Sequence, residues 1–200
     1  MQTPRSPRSV NLAYAVVSVL FWVTIVGLAI GLPVGIATTL SSDNPMSVHA
    51  VVPPGGLVLP GGVEVVEPVT LSLPIDHLTT AQIAVFHAAI ALGGAVVLYG
   101  IWQLRQLIRG VRANETFSRP NVRRLRITGW LLLVAYPLFQ LAMGWIDQWI
   151  LSTGGPAIPG ARADVDPFSF GAVAGGLCLL VLAEIFSYGL SLREDVEATI

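Results

Sequence analysis

The sequence predicts an all-α integral membrane protein, a four-transmembrane-helix bundle with a small β-rich extracytoplasmic segment between helices 1 and 2. Three observations predict it. Charged residues are only 12% of the 200-residue chain, about half the share a soluble domain carries, so lipid has to cover much of the surface. Four apolar runs are each long enough for helix, at about 1.5 Å per residue, to cross a hydrocarbon layer of roughly 30 Å. Ten of the 11 basic residues, all arginine, crowd one set of helix ends, a segregation hidden behind a net charge of -1.

The first span covers residues 12–40. It follows Arg5 and Arg8 but is longer than the apolar region of a cleavable signal, about 7 to 15 residues, and reads as an anchor. The second, residues 80–108, is entered through Thr79 with Gln82 three positions later, a capping-box pattern. The third covers residues 127–151 and the fourth residues 168–190, the last opened by Asp166 as N-cap and Pro167 at the first helical position. Backbone amides in hydrocarbon have no water to bond, so runs of this length without alternation are helices rather than barrel strands. Pro33 and Pro137 are expected to kink spans one and three. The whole chain, 1–200, reads as one membrane domain.

Orientation follows from the arginines. Arg5, Arg8, Arg105, Arg109, Arg112, Arg119, Arg123, Arg124, Arg126 and Arg193 fall on one side and Arg162 alone on the other. The positive-inside rule then predicts a cell membrane protein with both termini and the 110–121 connection in the cytoplasm. Trp102 and Trp130 near the inner boundary, with Trp145 and Trp149 near the outer one, fit the same placement.

Between spans one and two, residues 41–77 change composition abruptly. Gly and Pro clusters separate short runs at 48–52, 57–59, 63–66 and 69–73 that read as strands, with Pro68 and Pro74 as interrupters. The segment 152–166 reads as a connector carrying turn signals.

Two helices carry small residues at four-residue spacing, Gly27, Gly31 and Gly35 in span one and Gly171 and Gly175 in span four. Such faces allow close helix packing, either inside the bundle or in a homo-oligomer seam through Gly27, Gly31 and Gly35.

The most informative stretch is the cytoplasmic connection, where Arg105, Arg109 and Arg112 at helical spacing precede Phe117 and the run Asn121-Val122-Arg123-Arg124-Leu125-Arg126, followed by Gly129 and Trp130. One reading is topogenic charge with attraction to anionic headgroups, worth about 1 kcal/mol per residue near the surface. The other is a docking surface for a cytoplasmic partner. These residues, with Leu182-Ala183-Glu184-Ile185-Phe186 and Leu192-Arg193-Glu194-Asp195 near the C-terminus, resemble the bacterial membrane family of unknown function 2975. Asn114 and Thr116 stand where that family has glycine and proline. The resemblance implies a small multi-pass protein without an assigned reaction. It also implies a neighbouring small helix-turn-helix regulator as partner.

Glu184 is the leading candidate for chemistry, because an ionisable group within a span costs at least about 2.5 to 3.5 kcal/mol at mid-bilayer. It is expected either to pair with Arg105, Arg124 or Arg126 at the inner collar, or to bind a proton or ligand. His87 and Asp147 are placed for contact near the outer ends of spans two and three, yet one histidine and one carboxylate fall short of a metal site. Asp164 and Asp166 with Asp43 or Glu64 are a weaker cation candidate. The candidate functional residues are therefore Glu184, Arg105, Arg123, Arg124, Arg126, Phe117 and Asn121. No GxSxG, HExxH or Gly-rich phosphate cradle occurs. The sequence reads as a non-enzyme without metal, cofactor or direct nucleic-acid contact. The favoured function is a regulatory or sensory membrane component that docks a cytoplasmic regulatory protein. The alternative is a small transporter or channel component using Glu184.

Overall fold

A computed structural model of the chain describes residues 8–41, 46–51, 58–59, 63–64, 68–73, 78–113, 118–153, 162–165 and 168–199. Helix α1 spans Arg8–Leu40 and α2 spans Thr80–Arg112. Helix α3, Arg119–Trp130, runs through a π-helical turn at Leu131–Ala135 into α4, Tyr136–Thr153. Helix α5 spans Phe170–Thr199. Four helices are long and apolar enough to cross a membrane: α1, α2, the continuous Arg119–Thr153 helix, and α5 over Phe170–Val196.

Burial runs opposite to that of a soluble domain. All five tryptophans are exposed, as are Leu12, Val23, Leu92, Leu138 and Ile185, while the buried side chains include the polar Gln82, Gln103, Asn121 and Asp147. Large apolar side chains left outward in this number need lipid as solvent.

Every helix reaches beyond its apolar stretch. α2 continues to Arg112 and α5 to Thr199, since arginine and glutamate are good helix formers once the helix leaves hydrocarbon. α3 begins at Arg119, eight residues ahead of the expected start of the third span at Ile127. The Asn121 to Arg126 run is therefore helix rather than connection. Ser118 caps it through its backbone carbonyl, which accepts from Asn121 N at 3.0 Å and Val122 N at 3.1 Å, and Pro120 sits in the first turn, where a missing amide hydrogen costs nothing.

The π turn has a local cause. Pro137 has no amide hydrogen for the Leu133 carbonyl, and the turn lies immediately ahead of it, with Tyr136 N donating to Leu131 O. Widening the helix there re-registers the bonds next to the proline. α1 passes through Pro33 as one uninterrupted helix.

Contacts divide the chain into two units, one of Met1–Gly27, Gly94–Pro137 and Phe168–Ile200, the other of Leu28–Gly93 and Leu138–Pro167. In the first, α3 and the π turn pack antiparallel on α5. A Cβ at Gly129 would lie 2.9 Å from Leu180 and 3.0 Å from the Gly176 carbonyl, and one at Gly176 would lie 2.7 Å from Leu133 and 3.0 Å from the Gly129 carbonyl. The two backbones meet at this glycine pair. The close approach uses Gly176 rather than the expected Gly171 and Gly175, whose Cβ positions meet only Ser169 at 3.8 Å and Leu132 at 3.6 Å.

In the second unit the α2 start is the expected capping box. Gln82 N donates to Thr79 Oγ1 at 3.3 Å and Thr79 N donates to Gln82 Oε1 at 2.8 Å. Gln82 is fully enclosed and also donates through Nε2 to Thr153 Oγ1 at the end of α4. Ile150, also enclosed, packs with Leu78, Phe86, Ile146 and Leu151. Strands β1, Met46–Val51, and β4, Pro68–Leu73, pair antiparallel from Met46 opposite Leu73 to Val51 opposite Pro68. Pro68 thus opens its strand, where proline is tolerated. β2, Val58–Leu59, and β3, Val63–Glu64, form a second antiparallel pair. The 152–166 segment is more than a connector, because its Arg162–Ala163 forms β5 and pairs with Val51 and Ala50. Ala163 N also donates to Gln148 Oε1 at 2.9 Å, tying that strand to α4.

Candidate functional site

The arginines converge in the first unit, around α3 and the ends of α2 and α5. Two exposed ion pairs join α3 to α5: Arg126 Nη2 to Glu184 Oε1 at 2.9 Å and Arg119 Nη2 to Glu194 Oε1 at 3.0 Å. Arg119 and Arg126 are seven residues apart, two helical turns, and so share one face of α3. Their partners fall in reverse order along α5, as antiparallel helices require. Glu184 therefore has one of its three expected partners, and its side chain is 70% exposed rather than turned into an enclosed route. Pairs of this exposure contribute about 0–1 kcal/mol each where the helix face meets water.

Asn121 lies at the centre of the site. It is 1% exposed and packs on Gly110, where a Cβ would come within 2.7 Å of its amide. Only a glycine lets α2 approach α3 that closely. Arg124 Nη1 donates to Asn121 Oδ1 at 2.9 Å and to the Gln106 carbonyl at 3.3 Å, which holds one edge of the guanidinium against α2. Charge-assisted bonds of this kind are roughly twice as strong as neutral ones.

Arg105 and Arg112 are taken up by α1. The Arg105 guanidinium lies 5.2 Å from the Phe21 ring centre and 5.7 Å from that of Tyr14, and donates to the Tyr14 hydroxyl at 3.4 Å. Arg112 lies 4.6 Å from the Tyr14 ring centre. Each such contact is worth about 0.5–1 kcal/mol at an exposed site. Arg123 is different: it is exposed, and among the described residues no carboxylate is within ion-pair distance of it. It lines two clefts that flank α3, one shared with Arg119, Arg126 and Glu194 and one facing Tyr99, Trp102 and Gln103.

The predicted residues are thus sorted by role. Arg126 holds Glu184, Arg124 and Asn121 hold α3 on α2, Arg105 holds α1, and Arg123 is exposed without an ion pair among the described residues. Phe117, Asn114 and Thr116 lie outside the described residues, as do Asp43 and Asp166 of the cation candidate. His87 does not bond Asp147: its Nδ1 donates to the Ile83 carbonyl at 2.8 Å, and Nε2 lies 3.7 Å from where a Gly35 Cβ would stand. Sequence reasoning did not single out Arg119, Tyr14 or Gly110, and it read Glu194 as part of a C-terminal motif rather than as the partner of Arg119. Seven-residue spacing would have coupled Arg119 to Arg126 had the helix been started early enough.

Four long apolar helices carrying a cluster of guanidinium groups at their ends define a multi-pass membrane protein. The chain belongs to the family described as protein of unknown function (DUF2975), which it matches over residues 36–200. The match takes in the 41–77 segment as well as the arginine-rich stretch and the C-terminal helix. No curated protein and no solved structure matches the chain.

Proposed function

We propose that this protein is a regulatory or sensory component of the cell membrane that docks a cytoplasmic protein, such as a small helix-turn-helix regulator, through its arginine-rich helix ends. In this reading both termini and the connection between α2 and α3 are cytoplasmic, the paired strands of residues 46–73 are extracytoplasmic, and the role is non-catalytic. The observation that supports it is the division of labour among the arginines: those that bind the fold together have partners within the chain, while Arg123 and Arg109 are exposed and make no ion pair among the described residues, which leaves them available to an acidic surface. Ten arginines on one side also support the orientation.

A photocrosslinking side chain at Arg112, carried in cells, tests the docking. The expected adduct contains the regulator, and charge reversal of Arg109 and Arg123 together lowers its yield by about tenfold or more, the loss of two charge-assisted contacts. Undiminished adduct in that variant would overturn the docking surface. The transporter alternative needs Glu184 to face a polar route. Its pairing with Arg126 on an exposed helix face favours a structural role instead, for which proteoliposomes carrying Glu184→Gln are expected to show the same flux as the native chain.

A further inference from the structure

Helix α2 presents Tyr99, Trp102 and Gln103, positions i, i+3 and i+4 of one face, to the side of α3 that carries Arg119, Arg123 and Arg124. Between them is an open cleft of about 490 Å³. Its charge is one-sided, for among the described residues no carboxylate lines it. Arg119 is neutralised from outside the cleft by Glu194 at 3.0 Å. Arg124 is bonded only to neutral acceptors, and both bonds use Nη1, so its charge persists and its remaining N–H groups are held in place. Arg123, next to it, is exposed and without a carboxylate partner among the described residues. Among the described residues two adjacent guanidinium groups are thus left without a carboxylate partner, one of them preoriented.

The opposite wall is aromatic. Tyr99 and Trp102 stack with ring centres 5.8 Å apart and planes at 27°, and buried Gln103 donates to the Tyr99 hydroxyl at 2.7 Å, which fixes that ring. A planar cation fork matches the oxygen pair of a carboxylate or a phosphate, and it is phosphate that the lipid headgroups carry at the level that amphipathic rings favour. We propose that this cleft binds a phosphate-bearing anion, supplied in the bilayer by the headgroup of an anionic phospholipid. Arg123 and Arg124 hold the phosphate, and Tyr99 and Trp102 lie against the glycerol and the upper acyl carbons. Basic clefts between membrane helices are suited to this. The site does not depend on the docking of a protein partner, because the purified chain alone suffices to reveal it.

The test titrates the full chain in neutral detergent with short-chain phosphatidylglycerol, short-chain phosphatidylcholine and inorganic phosphate, following tryptophan fluorescence. Phosphatidylglycerol is expected to give a saturable change that Trp102→Phe removes. Arg123→Ala is expected to weaken binding by about tenfold, with Arg123→Gln as a second variant and circular dichroism to verify the fold of both. Arg109→Ala, which removes the same charge from an exposed position outside the cleft, is expected to bind as the native chain does. Tighter binding of phosphatidylglycerol than of inorganic phosphate assigns the lipid as the source, and equal binding assigns free phosphate; either supports the site. Absence of saturable binding by both, phosphatidylcholine binding as tightly as phosphatidylglycerol, or equal losses from Arg123→Ala and Arg109→Ala would overturn it.

Discussion

Asn121 is a polar side chain almost sealed from solvent, and two neighbours account for that: Gly110, which gives it room, and Arg124, which satisfies its carbonyl oxygen. Gly110→Leu is expected to lower stability by about 1–3 kcal/mol through overpacking, read as a fall in the thermal midpoint of the full chain in detergent. Asn121→Ala is expected to cost a similar amount, about 1–3 kcal/mol, because the guanidinium loses one of its two acceptors. Glu184 and Arg126 are exposed, so a double-mutant cycle between them is expected to give a coupling of only about 0–1 kcal/mol; a coupling several times larger would mean the pair is desolvated. The sequence placed Glu184 near the arginines but left three partners open. Which guanidinium it meets depends on the rotation of α3 about its axis, and that rotation is set by the glycine contacts rather than by the charges.

The crossing of α3 and α5 depends on two carbonyls passing within reach of each other's glycine. Gly176→Leu is therefore expected to destabilise far more than Gly171→Leu, whose Cβ would make only an ordinary contact with Ser169 at 3.8 Å; near-equal thermal midpoints for the two variants would contradict the crossing. Regular spacing in the sequence pointed to Gly171 and Gly175, because a four-residue repeat identifies a face without identifying what approaches it. The same distinction applies to α1, where Cβ atoms at Gly27 and Gly31 would meet nothing within 4 Å and Gly35 faces His87. We propose Gly27 and Gly31 as the seam of a homo-oligomer. Gly31→Leu is then expected to leave the fold intact while abolishing a crosslinked dimer in membranes, and unchanged crosslinking would remove the seam. The capping box at Thr79 was fully legible, since it is written in two residues at fixed spacing. The π turn was not, because Pro137 alone signals a disturbance without its form.

Over the whole molecule, the four apolar helices were readable because absence of water leaves the backbone a single option, and length then sets the count. Their ends were misjudged wherever the chain continues as helix past the apolar stretch, most of all at Arg119, where eight residues rich in arginine carry no apolar periodicity of a span. The pairing of Arg162–Ala163 with β1 was invisible for a related reason: a two-residue strand separated from its partner by two helices leaves no local pattern. What organises the molecule is the concentration of positive charge at one set of helix ends, and it makes a claim about sidedness that the membrane itself can test. Reporter fusions after residue 115, after the C-terminal helix and within residues 52–57 measure it most directly. The first two are expected on the cytoplasmic face and the third on the opposite face; a chain with residue 115 and its C-terminus on different faces would contradict the account.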